Sequence, residues 1–222
     1  MFNWSLKLRQ QTKYCVPQGP SFGHASQLKF AVDGTTISLY APKHRSKFRS
    51  NKAIQPPRES QLCHIVMKPA RKHSKRWEYH DFVTRSWSFY GPWFSGFKSE
   101  LSMGVTIITP DELNFEASFF RPKAFEHALA DYLQDQYADA VYEGIQEWLA
   151  PSDWKVVNSL PCVAASFYVK PNTYNTAGPD RYFIFPVSNK HLVKVFFSFT
   201  RNCAGSNEEQ DKQVGMTTME QL

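Results

Sequence analysis

The stretch Tyr182-Phe-Ile-Phe-Pro-Val187, then Ser188-Asn189-Lys190, then His191-Leu-Val-Lys-Val-Phe-Phe-Ser-Phe-Thr200 decides the fold class. Two arms rich in aromatic and β-branched residues flank three polar ones, which reads as an antiparallel hairpin. Pro186 cannot donate to a ladder, so the first arm is expected near a sheet edge. Upstream of it, Pro171 to Asp180 is turn-rich, and Trp154-Lys-Val-Val157 and Val163 to Val169 read as strands. Before these strands runs the clearest helical pattern. Phe125, Ala128, Leu129, Tyr132 and Leu133 recur at helical spacing, and Val141, Ile145, Trp148 and Leu149 continue it. Pro122 suits a first turn and Pro151 stops the run. A helix is therefore expected over about 122–149, with a kink or a division into two helices allowed in the less apolar Asp135 to Ala140 stretch.

The first half reads as strands and loops. Leu28-Lys-Phe-Ala-Val32 and Thr36-Ile-Ser-Leu-Tyr40 flank Asp33-Gly34, a strong hairpin signal because both turn positions favour positive φ. Leu62 to Met67, Tyr79 to Tyr90 and Leu101 to Ile108 read as strands, and Phe115 to Phe120 as a further one. Strands, one helix, then strands, with no βαβ alternation, define an α+β fold. The expected architecture is a mostly antiparallel sheet with one long helix, about 122–149, packed on it. Residues 1–26 are expected as an extended N-terminal segment and 27–222 as a single α+β domain, since no Gly- or Ser-rich linker divides them.

Composition narrows the function classes. At 222 residues, with 42% hydrophobic and 21% charged residues, the chain can bury a core and is not a disordered polymer. No apolar run nears the roughly 18 residues of a membrane span, and the N-terminus lacks the apolar core of a signal peptide. Cys15, Cys63, Cys162 and Cys203 are widely spaced with no C-x-x-C, so a zinc knuckle or dithiol redox site has no support. A soluble protein with free thiols in a reducing cytoplasm is expected.

No motif names a chemistry. G-x-S-x-G, H-E-x-x-H and G-x-G-x-x-G are absent. Gly91 to Lys98 resembles a phosphate loop, but Phe97 stands where lysine is needed, and Trp93 and Phe94 are too bulky for backbone amides to close round a phosphate. Cys63 and His64 are strand neighbours and point to opposite faces. Glu78 and His80 share a face but are too few for a metal. The expectation is a non-enzymatic protein without metal or cofactor.

Three features suggest binding. Asp131, Asp135, Asp139, Glu143 and Glu147 recur every four residues and would form a slowly winding acidic band on the expected helix. Like charges at that spacing repel, so either the chain's own basic loops or a cationic partner must offset them. Trp87 to Phe97 holds six aromatic residues in eleven, and alternation cannot bury them all on one strand face. From these two features the partner-binding residues are expected to be Trp87, Tyr90, Trp93, Phe94, Asp131, Asp135, Asp139 and Glu143. The third feature is charge asymmetry: residues 1–100 carry a net +12 and residues 101–222 a net −6. Lys43, Arg45, Lys47 and Arg49 form one basic cluster, and Arg71, Lys72, Lys75 and Arg76 the other. They give the alternative, a nucleic-acid-binding face.

The helix inserted in an antiparallel sheet, the late hairpin Tyr182 to Thr200 and a helix start near Thr217 resemble, in element order over residues 27–222, the PsbP-like fold. That resemblance implies an adaptor or immunity protein beside a type VI secretion effector, one that binds and neutralises or chaperones a toxin. It carries no functional residue across.

Overall fold

The computed structural model describes residues 9–11, 14–16, 20–32, 34–50, 52–55, 76–90, 96–110, 117–138, 140–142, 144–172 and 179–201. Six strands make one fully antiparallel sheet: β5 (Trp77–Tyr90), β6 (Phe97–Pro110), β9 (Ser152–Val156), β10 (Ala165–Val169), β11 (Asp180–Pro186) and β12 (Leu192–Arg201), in the spatial order β5-β6-β12-β11-β10-β9. Hairpins outside it include β1 (Arg9–Gln11) with β2 (Tyr14–Val16) and β3 (Ser26–Val32) with β4 (Thr35–Ala41). The N-terminal segment expected to be extended thus contains a small hairpin. The fold is α+β and mostly antiparallel.

The sheet has a core on each face. Leu101, Met103, Val105 and Ile107 of β6 pack with Val193 and Phe197 of β12 under the β3–β4 hairpin, which contributes Leu28, Phe30, Val32 and Leu39. Ile108, Leu192, Ile184 and Phe167 face the opposite way, toward the helix. Period-2 alternation divides the two sets. In β5 an extra residue, Phe82, interrupts the pairing between Asp81↔Thr106 and Val83↔Val105. This bulge exchanges the faces of odd and even positions. Trp77 and Tyr79 therefore meet the helix while Val83, Trp87 and Phe89 meet the hairpin. Gly104 is required by a close approach: a Cβ there would lie 2.1 Å from the Phe196 ring.

The helix begins where expected and ends sooner. α1 spans Pro122–Leu133 with Pro122 in its first turn, and Phe125, Ala128, Leu129 and Tyr132 are buried. A π-turn, Gln134–Ala138, continues it and turns Asp135 and Tyr137 inward. The expected run to 149 is not helical. β7 (Val141–Tyr142) and β8 (Ile145–Gln146) form a two-residue hairpin in which Gly144 takes φ 80°. Gly144 makes that turn cheaply, and β-branched Val141 and Ile145 lose little as strand residues. Their helical spacing buries nothing, for they stay 58% and 63% exposed. Trp148 instead bridges to Pro171 and packs edge-on against Tyr137 at 5.4 Å.

Two strand expectations change. Residues 117–120 form a turn, not part of a strand. The late hairpin is present, β11 with β12, but β11 is interior, between β12 and β10. Pro186 is tolerated because it is the last residue of β11, where the ladder ends at Leu192. The expected strand Leu62–Met67, the turn at 173–178 and the tail beyond Arg201 lie outside the described residues.

Candidate functional site

Residues within 44–50 and 52–55 line the outer edge of β5. The Arg45 N–H donates to the Ser86 carbonyl at 2.8 Å and the Ser88 N–H to the Arg45 carbonyl at 2.9 Å. Further along, Ile54 and Thr84 exchange bonds of 3.3 and 3.2 Å. Arg85, buried, donates to the Ile54 and Thr84 carbonyls, both at 2.8 Å, and to Gln55 Oε1 at 2.6 Å. Burial lowers its pKa from the ordinary arginine value. His44 Nδ1 accepts the Ser86 N–H at 2.9 Å, which leaves the ring proton of neutral His44 on Nε2. A basic segment that the sequence presents as a polar loop is thus pinned to the sheet.

That pinning brings two sequence features together. Lys43, Arg45, Lys47 and Arg49 are all exposed. Beside them Phe48 is 43% and Tyr90 36% exposed. Phe48 and Tyr90 both meet Phe97 edge-on, at 5.4 and 6.1 Å, and Lys47 Nζ stands 4.6 Å from the Phe97 centroid. Lys47 and three rings therefore share one surface, whereas Arg45, the bridge partner of Trp87, belongs to the opposite face of the sheet. Beneath it Ser46 Oγ and Ser88 Oγ both contact the buried carboxylate of Glu100.

The acidic band is employed differently. Asp131 Oδ1 pairs with Arg76 Nη1 at 2.7 Å, and its Oδ2 accepts the Trp77 indole N–H at 2.8 Å. Asp135 is 7% exposed; it lies 3.5 Å from Arg76 Nε and accepts from Gln136 at 3.2 Å. The chain's own second basic cluster thus meets the first two members of the band. The helix is not continued at 140–142 or 144–149, so Glu147 does not extend the band; Asp139 and Glu143 lie outside the described residues. Trp87 is buried under the β3–β4 hairpin, so it is core rather than surface. Trp93, Phe94, Arg71, Lys72 and Lys75 lie outside the described residues, as do Cys63 and His64.

Two further titratable groups among the described residues are shifted by burial. Burial pushes the Cys162 thiol up, away from the thiolate. His80 is buried, and desolvation lowers its pKa further than Asp81 raises it, with His191 lowering it as well. Among the described residues no three His, Cys, Asp or Glu side chains group so as to hold a metal, and no helix is long and apolar enough to cross a membrane.

Two clusters escaped the sequence reading. Lys194 Nζ donates to Tyr132 Oη at 3.0 Å and lies 5.4 to 5.7 Å from the rings of Tyr79, Tyr132, Tyr182 and Phe196. It joins β12 to the helix. Glu100 is the other, and a signal existed for it: it is the only acidic residue between Asp81 and Asp111. No family model matches the chain, and neither does a curated protein or a solved structure.

Proposed function

We propose that this protein is a non-enzymatic binding module that docks an acidic surface of another protein on its basic and aromatic patch. The observation that carries the reading is the pinning of the Arg45 and Lys47 backbones to β5, which sets Lys47 beside the partly exposed rings of Phe48, Tyr90 and Phe97 within the exposed basic stretch Lys43 to Arg49. Aromatic anchors supply contact area and surrounding charges steer the approach. The pairing of Asp131 and Asp135 with Arg76 favours this patch over the helical band as the docking face. Neutralising or chaperoning an effector toxin in the cytoplasm is the form of the activity that the resemblance in element order implies.

Single-stranded nucleic acid is the second reading, favoured by exposed rings among cations, which suit base stacking and phosphate contact. One experiment separates the two. The full chain, and a variant carrying Lys43→Glu, Arg45→Glu, Lys47→Glu and Arg49→Glu, are used to capture partners from host lysate with and without nuclease. A stoichiometric protein that survives nuclease and associates at least about tenfold more slowly with the variant supports the first reading. Capture that nuclease abolishes moves the function to nucleic acid. Equal capture and on-rate by the variant rejects the patch.

A further inference from the structure

Glu100 lies where a carboxylate works against the patch above it. It is 3% exposed, on β6, beside the segment Ser46 to Phe48 that carries the Lys47 cation. A buried negative charge there lowers the positive potential that would attract an acidic partner. Its hydrogen bonds suggest a different role. The Phe48 N–H donates to Ser46 Oγ at 3.0 Å, and that hydroxyl faces both Glu100 oxygens at 3.0 and 2.9 Å. The Lys47 N–H donates to Ser88 Oγ at 2.7 Å, and the Ser88 hydroxyl donates to Glu100 Oε2. Each serine oxygen accepts from the loop backbone and gives its own proton to the carboxylate. Two relays run from the loop into one residue of the sheet.

An ionised carboxylate only accepts, so it suits two incoming hydroxyl protons. A carboxamide suits them less: one acceptor oxygen replaces two, and its NH2 offers no acceptor to the hydroxyl proton it faces. Bonds to a charged acceptor are also the stronger kind. We infer that Glu100 is a positioning residue for the basic and aromatic patch, latching residues 46–48 onto β6 and so fixing where Lys47 and Phe48 stand. Its value to binding rests on the docking reading above; the latch itself needs no partner to be tested.

The test is amide hydrogen exchange in the full chain, for the wild type, Glu100→Gln and Ser46→Ala. Glu100→Gln should accelerate exchange at both Lys47 and Phe48 by at least about tenfold, while the Val105 amide in β6 stays protected. Ser46→Ala should accelerate Phe48 and leave Lys47 slow, because the Ser88 relay survives. Unchanged exchange at Lys47 and Phe48 in Glu100→Gln overturns the latch. If Glu100→Gln loses protection at Val105, Ser46→Ala decides alone, and an unaltered Phe48 amide there overturns it equally. Binding of a fluorescent poly-glutamate peptide then reads the consequence. Glu100→Gln removes a negative charge, so electrostatics alone tightens binding, whereas lost positioning weakens it by about tenfold. Tighter binding by a variant that keeps Val105 protected overturns the positioning role. A wild type that ignores the peptide, with the amides responding as expected, rejects the docking reading and leaves the latch standing.

Discussion

At the scale of single residues, most polar groups inside this protein are positioned by others of their kind. Arg85 is spent on backbone carbonyls, and Lys194 on a tyrosine hydroxyl and four rings. Buried charges persist only where such partners exist. His80 is one exception, and it has a measurable consequence: its buried Nε2 has no hydrogen-bond partner among the described residues. Burial holds its pKa below the ordinary 6.5, so the fold favours the neutral ring. Below that pH the unfolded chain takes up a proton that the native chain refuses, and stability falls. Thermal unfolding should show a stability contribution fully present above about pH 6.5 and lost as pH drops toward the native pKa. His80→Gln should flatten that part of the profile; an identical acid limb in the variant would assign the loss to other groups.

At the scale of elements, the end of α1 is the sharpest difference between sequence and structure. The i, i+4 spacing of Val141, Ile145 and Leu149 is a helical pattern on paper. In the molecule these side chains are among the most exposed apolar groups. Gly144→Ala distinguishes the two descriptions by sign. In a helix interior the change stabilises by about 0.5–1 kcal/mol. In the β7–β8 turn, where Gly144 takes φ 80°, it strains the backbone and destabilises by about 1 kcal/mol. Chemical denaturation of the variant should show the loss, and a gain would restore the longer helix. The same early ending explains why Glu147 does not join Asp131 and Asp135 in one helical band. A helical band needs a continuous axis, and the axis stops at Ala138.

For the whole molecule, the question is whether the β3–β4 hairpin belongs to the same cooperative unit as the sheet. Among the described residues it pairs only with itself, and packing joins it to the sheet. Phe30 is 2% exposed and its ring lies 5.3 Å from Phe82, the bulge residue of β5. Phe30→Ala should cost about 3–5 kcal/mol and preserve a single unfolding transition. Two separated transitions, or a loss under about 1 kcal/mol, would make the hairpin an independent appendage and divide the domain. Cooperative unfolding would fit two cores that share one sheet, since β5, β6 and β12 contribute to both.

Local elements were legible along the chain: the 182–200 hairpin, strands over 79–90 and 101–108 that the structure extends to 77–90 and 97–110, the paired arms 28–32 and 36–40, and the helix start at Pro122. Alternation, turn residues and caps act over a few positions, so neighbours in the chain suffice to define them. Only the tertiary structure decided the rest. It placed β11 inside the sheet, because strand order depends on partners far along the chain. It turned Tyr79 and Val83 to opposite faces through one extra residue at Phe82, which no local period reveals. It gave Asp131 and Asp135 to Arg76, more than fifty residues away, and set Ser46 to Phe48 against Glu100 while Lys47 stays exposed. Which charges are spent and which remain available is a matter of spatial proximity, and chain spacing does not encode that directly.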